Sequence, residues 1–191
     1  MITRARARIH KPNPKYAMAA SATISPIPQS VRSVVKDPNW YAAMKCEFDA
    51  LQANKTWTLV PRPPDARVIT GKWVFKHQMN PDGTLERYKA RWVVRGYNQR
   101  PGVDFGETFS PVVKPAMIRT VLTLVAMYNW PAHQLDVSNA FLHGNLQEQA
   151  YSQQPTGFVD PRWPDDVCLL SWSLYGLRQA PRAWFDRFVG M

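Results

Sequence analysis

A chain of 191 residues with 45% apolar side chains, eight tryptophans and 20% charged residues carries enough apolar surface for one packed domain, which excludes a wholly disordered chain. Seventeen prolines argue against a helical bundle, and the longest apolar run, near residues 121–127, is far shorter than the roughly 20 residues of a membrane span. No signal-like segment opens the sequence, so the expectation is a soluble, intracellular chain with no membrane partner and no assigned compartment. The formal net charge of +10 is concentrated: residues 1–36 hold seven basic side chains and no acid, and residues 71–100 hold seven basic against two acidic. Such zones suit a polyanionic partner, nucleic acid first, although a solvated charged tail is the plainer reading of the first zone.

In chain order, residues 1–36 combine spaced arginines, Pro12, Pro14, Pro26 and Pro28, and a run of small residues. That composition offers no periodic apolar face, so it predicts a disordered basic arm ahead of a folded domain spanning 37–191. Asp37-Pro38 reads as a helix start, and Trp40, Met44, Phe48 and Leu51 then recur at helical spacing to about Asn54. Trp57 to Val60 reads as a short strand. Between Lys72 and Tyr97, the turn Asn80-Pro81-Asp82-Gly83 separates two strand-like stretches and predicts a β-hairpin. Alternation on the return strand places Tyr88, Ala90, Trp92 and Val94 on one face and Lys89, Arg91, Val93 and Arg95 on the other. The first face packs; the second is cationic, either a solvent face or a phosphate contact.

Pro115 opens a second predicted helix, with Ile118, Val121, Leu122 and Val125 as its apolar stripe and an end near Asn129. His133 to Val137 then reads as a short buried strand carrying Asp136, a carboxylate costly to bury unless paired or bound to a cation. A last helix is expected from about Gln179 through Val189, with Trp184, Phe185 and Phe188 at helical spacing. Other constellations carry little. Cys46 and Cys168 lack metal or disulfide spacing and read as buried thiols. Asp165-Asp166 lies in a turn-like stretch, and His10, His77, His133 and His143 show no ligand spacing. No Gly-rich phosphate loop or nucleophile elbow is present.

Several blocks occur together in a fixed order: "NKTWTLVPRP", "KWVFKHQMNPDGTLERYKARWVVRGYNQRPGVDFGETFSPVVK", "QLDVSNAFLHGNL", "QQPTGF" and "SLYGLRQAPRAW". In this order they closely resemble the reverse transcriptase domain of copia-type LTR retrotransposon Pol polyproteins, from roughly Asp37 onward. The opening "TRARARIHKPNPKY" resembles the linker that precedes this domain. The resemblance implies an α+β fold, a partial right-hand polymerase made of fingers and part of the palm, with an antiparallel sheet and packed helices. It makes Lys72 to Tyr97 the fingers hairpin and Asp136 to Gly144 the first palm motif.

By the same resemblance Asp136 is the catalytic carboxylate and a ligand of two Mg²⁺ ions. Phe141 corresponds to the aromatic gate against a ribose 2′-hydroxyl, and Ser138, Asn139 and Ala140 lie beside the triphosphate of the incoming dNTP. Lys76 and Arg91 resemble the fingers cations that grip that triphosphate, with Lys89 as the alternative to Arg91 if the hairpin register shifts. Gly176, Gln179 and Pro181 match the block forming the nucleotide floor, and Lys89 and Arg95 are the expected nucleic-acid contacts. Implied partners are an RNA template, a DNA primer, dNTPs and the remaining Pol segments. The family's Tyr-x-Asp-Asp motif would follow the "SLYGL" block and does not occur in these residues. The expectation is therefore a polymerase fragment that does not extend a primer by itself, with a non-catalytic nucleic-acid-binding relic or a functionless pseudogene product as alternatives. Trp92, Ser152 and Trp172 stand where the family usually has Leu, Met and Lys.

Overall fold

The structure is a computed structural model that describes residues 24–135, 137 and 139–190. In chain order it contains α1 (Val31–Val35), α2 (Pro38–Ala53), β1 (Trp57–Val60), β2 (Val68–Ile69), β3 (Gly71–Met79), β4 (Leu85–Val94), α3 (Pro115–Met127), β5 (Asn145–Ser152), β6 (Val167–Trp172) and α4 (Ala180–Val189), with short 3₁₀ turns at Gly96–Asn98 and Ala140–His143. None of the described helices is long and apolar enough to cross a membrane. The mixed α+β class matches the expectation.

Helix α2 starts where its sequence says. The Asp37 carboxylate accepts from the backbone N–H groups of Asn39 and Trp40 at 3.0 and 3.4 Å, and Pro38 follows in the first turn, where its missing N–H costs nothing. Trp40, Met44 and Leu51 are buried along one stripe. They face the hairpin: the Trp40 ring lies 5.5 Å from Phe75 and 4.8 Å from Tyr88, both edge-on.

Strands β3 and β4 pair antiparallel from Gly71↔Val94 to Met79↔Leu85. The chain reverses at Asn80 to Gly83, where the Gly83 N–H donates to the Asn80 carbonyl at 2.9 Å and Gly83 takes a φ of +83°. The predicted alternation holds. Ala90, Trp92 and Val94 are buried, while Lys89, Arg91 and Val93 are half-buried and Arg95 is exposed. Trp92 is fully buried 5.3 Å from Trp73, and it fits because residue 71 is glycine: a β-carbon there would meet the Trp92 ring at 2.3 Å. The Leu-to-Trp departure at position 92 thus has its space made by Gly71.

A second sheet runs in the order β1-β6-β5-β2. Its two longer contacts, β1 with β6 and β6 with β5, are antiparallel, and β2 joins β5 in parallel over two residues. Cys168 and Ser152, paired in the β5–β6 register, are buried together, so Ser152 replaces bulk with a small polar neighbour of the thiol. Burial pushes the Cys168 thiol up to about 12, opposed by a hydrogen bond with Ser152. At position 172 the indole lies under the Arg187 guanidinium, 5.2 Å away.

Four expectations are corrected. The arm does not extend to residue 36 as a disordered segment. Ser25 and Pro26 are anchored to the hairpin and to α2: the Ser25 N–H donates to the Tyr88 hydroxyl at 2.9 Å and Trp40 Nε1 donates to the Pro26 carbonyl at 2.8 Å, and α1 buries Val34 completely. Prolines and serines gave no periodic signal there because single polar anchors, not an apolar stripe, hold the segment; residues 1–23 lie outside the described residues. The strand expected over 133–137 is irregular in its described part, with Leu135 88% exposed, because none of the six strands pairs with it. The stripe of α3 is not buried: Ile118, Val121 and Leu122 are each about half exposed. Cys46 is exposed, since it falls beside the buried stripe of α2 and not on it, and only Cys168 is a buried thiol.

Candidate functional site

The observed register settles which cations stand together. On the outer face of the hairpin Lys76 is directly opposite Lys89, and Val74 is opposite Arg91, so Lys76, Lys89 and Arg91 share one face within two residues of each other. Like charges placed directly across a sheet repel, and such a face gains from an anion. Lys89 loses proton affinity through burial first, and then through Arg91 and Arg87 beside it.

This face forms one wall of an open cleft of about 730 Å³. Lys89 and Arg91 supply the hairpin side, Glu47 the α2 side, and Asn139, Ala140, Phe141 and Tyr175 the opposite side. Lys76 lines a smaller depression that continues from it across Lys89 and Arg91. Asn139 introduces the 3₁₀ turn from a left-handed conformation, φ +53°, which Asn tolerates better than most residues. Its side-chain oxygen accepts from the Tyr175 hydroxyl at 3.3 Å. The Tyr175 ring meets Phe141 edge-on at 5.9 Å and carries the Arg91 guanidinium 4.9 Å from its centre.

Gly176 fixes the loop that presents Tyr175. Its φ is +95°, and a β-carbon there would lie 2.0 Å from the Val94 carbonyl oxygen, so only glycine brings this loop so close to the end of β4. The neighbouring backbone link is the Val94 N–H donating to the Tyr175 carbonyl at 2.8 Å. The loop is therefore fastened to the hairpin, and the cation wall and the aromatic wall are held as one unit.

The remaining expected residues fall elsewhere. Gln179 is buried, accepts from Gln99 Nε2 at 3.1 Å and lines a separate depression with Arg182 and Glu148. Gly176 acts through backbone packing, and Arg95 is exposed just beyond the end of β4. Asp136 and Ser138 lie outside the described residues. Among the described residues no three His, Cys, Asp or Glu side chains gather to hold a metal ion. The described donors thus do not by themselves make a two-Mg²⁺ site.

Two residues of the cleft escaped the sequence reading. Tyr175 sits inside the "SLYGL" block beside Gly176, and that block is the only signal the sequence offers for it. Glu47 sits seven residues after Trp40 on α2, so an acidic residue at the edge of an apolar stripe was the available signal. Burial pushes the Glu47 carboxyl up, against the opposing pull of Arg91, the Trp92 backbone N–H and Lys89. Burial likewise raises the Tyr175 hydroxyl, opposed by Arg91 and reinforced by Glu47.

Residues 54–190 match the family described as reverse transcriptase (RNA-dependent DNA polymerase). The chain is 50% identical over 186 residues to a retrovirus-related Pol polyprotein from transposon RE2 of Arabidopsis thaliana, an alignment covering 97% of this chain and 13% of the polyprotein. It is 47% identical over 164 residues to the corresponding polyprotein from transposon TNT 1-94 of Nicotiana tabacum, covering 84% and 12%. An uncharacterized mitochondrial protein of Arabidopsis thaliana is 47% identical over 140 residues, covering 73% of this chain and 78% of that protein. The chain thus spans about an eighth of the Pol polyproteins it matches. No solved structure matches it.

Proposed function

This chain belongs to the reverse transcriptase (RNA-dependent DNA polymerase) family, and from that premise we propose that it supplies the fingers and leading palm of a copia-type retrotransposon polymerase, binding the triphosphate of an incoming dNTP in the cleft between β4 and the 139–143 turn. The observation that carries this reading is the cleft itself, where Lys89 and Arg91 face Asn139, Ala140 and Phe141. Phosphate oxygens take charge-assisted hydrogen bonds from Arg and Lys, and the guanidinium held over Tyr175 already faces the cleft. Lys76, opposite Lys89, extends the cationic wall toward the outer phosphates. Phe141, braced edge-on by Tyr175, is the residue assigned to exclude a 2′-hydroxyl. Asp136 is the carboxylate assigned to the chemical step, with Mg²⁺ as the family's cofactor, an RNA template, a DNA primer and the remaining Pol segments as its partners. No Tyr-x-Asp-Asp string occurs in the 191 residues, so this chain alone binds substrate without extending a primer.

The test is equilibrium dialysis of labelled dATP against the chain at low and high salt. Affinity that falls with salt and drops about tenfold or more in Arg91→Ala supports the reading, because removing one charged hydrogen-bonding partner of a phosphate costs on the order of 1.5–3 kcal/mol. Unchanged affinity in Arg91→Ala overturns it. In a longer Pol segment that extends primers, Asp136→Asn abolishes extension; activity surviving that change refutes the assigned role.

A second reading, nucleic-acid binding without chemistry, draws on the exposed cations Lys72, Arg87 and Arg95 on or beside the hairpin. It predicts RNA or DNA affinity that weakens steeply with salt and weakens again in Arg95→Ala. Salt-insensitive or undetectable affinity removes it.

A further inference from the structure

The cleft contains one acid among its cations, and one of its carboxylate oxygens has no hydrogen-bond partner. Glu47 Oε1 and Arg91 Nε are both buried and both without a hydrogen-bond partner, although they line the same cleft and have complementary chemistry. No ion pair within 4 Å joins Glu47 to Lys89 or Arg91 among the described residues. A carboxylate and a guanidinium so placed attract each other through the cleft without the close contact that would make the pair favourable in itself. Half-buried Glu47 belongs to α2, whose stripe is locked under the hairpin by Trp40 and Met44, so the carboxylate cannot withdraw with the helix. The groups facing it are Arg87, Lys89 and Arg91 of β4, Tyr175 of the loop before α4, and Cys46 on its own helix. Every charged side chain in that set other than Glu47 is a cation.

We propose that Glu47 is an internal counter-charge for Arg91 and Lys89, which an incoming polyphosphate must outcompete, so that Glu47 sets how weakly this cleft holds its ligand. The inference rests on the triphosphate reading above and adds to it a residue from outside the hairpin and palm motifs. With Glu47 ionised, the charge of Lys89 and Arg91 is partly neutralised. An entering triphosphate meets repulsion from the carboxylate as it approaches the cations that line the cleft. The arrangement favours rapid exchange of ligand over tight retention, because one acid in a cationic site opposes the bound anion more than it opposes the empty cleft.

The experiment measures binding of inorganic tripolyphosphate, dATP and phosphate-free deoxyadenosine to the wild-type chain, Glu47→Gln and Glu47→Asp, with circular dichroism melting to show that each variant is folded. Glu47→Gln binds tripolyphosphate and dATP roughly fivefold tighter, the order expected for removing one unit charge several ångströms away in a partly solvated cleft. Its affinity for deoxyadenosine does not change, which a general loosening of structure would not spare. Glu47→Asp keeps the charge and stays near wild type. Unchanged or weaker tripolyphosphate binding in folded Glu47→Gln overturns the proposal. If Glu47→Gln tightens tripolyphosphate while dATP binds no better than tripolyphosphate in any variant, the counter-charge stands and the dNTP reading falls. Binding of neither anion by any variant overturns both.

Discussion

Helices α2 and α3 both carry a proline in the first turn and both repeat apolar side chains every three to four residues. Yet Trp40 and Met44 of α2 are fully buried, whereas every residue of α3 is exposed except half-buried Val125. The two also differ at their starts: Asp37 caps α2 with its side chain, and Lys114 makes no side-chain cap bond at α3. An apolar stripe therefore states which face of a helix gains by being covered, and says nothing about whether a complementary surface stands opposite. For α2 the surface is the inner face of the hairpin, built by the same alternation that turns the cations outward.

The largest effect that could break this comparison is on the core side. Trp40→Ala lowers the unfolding free energy by about 3–5 kcal/mol, as truncation of a fully buried large aromatic does, whereas Leu122→Ala changes it by less than about 0.5 kcal/mol. Urea unfolding followed by tryptophan fluorescence measures both, and an equal loss in Leu122→Ala would mean that the α3 stripe is covered in solution. Next come the caps. Asp37→Ala costs about 1 kcal/mol and Lys114→Asp returns up to about 1 kcal/mol, because the carboxylate accepts an orphan N–H and complements the helix dipole; helicity by circular dichroism should move in opposite directions for the two.

A chemical probe separates the exposed thiol of α2 from the buried thiol of the sheet. At pH 8 iodoacetamide modifies exposed Cys46 and leaves Cys168 untouched, since burial holds the latter thiol up at about 12. Peptide mass mapping reads the result, and label on Cys168 before unfolding would show the β5–β6 core to be open. The smallest expected effect concerns Glu47. Its carboxyl is raised from the ordinary 4.5, so the folded protein holds that proton to higher pH than the unfolded chain. Its contribution to stability is fully present below pH 4.5 and is lost as pH rises through the folded value. Glu47→Gln removes that loss, so its melting temperature exceeds wild type at pH 7 and the excess shrinks as pH falls toward 4.5; an excess independent of pH would place the effect in packing instead.

Much of this was legible before any coordinate. The cap at Asp37, the turn at Asn80 to Gly83 and the two faces of β4 are local: each depends on residues within a few positions, and each appears where its sequence pattern puts it. The cleft was legible in part. Lys89, Arg91, Asn139, Ala140 and Phe141 line one cleft, and Lys76 lies beside them. Gln179 does not, because its side chain turns toward Gln99 in the loop network. Glu47 and Tyr175 were missed, as their importance comes from neighbours more than 30 positions away.

What the sequence determined by itself is the short-range structure and the chemical character of each face: helix starts, the hairpin, the one-sided charge and the order of blocks that marks the family. Only the tertiary structure decided which faces found partners. It joined β2 to β5 in parallel, anchored Ser25 to the hairpin, left α3 uncovered and set Glu47 among the cations. The physical reason is range. Dihedral preference, capping and alternation act between near neighbours along the chain, whereas burial, long-range strand pairing and the field in a cleft depend on what the folded chain brings together.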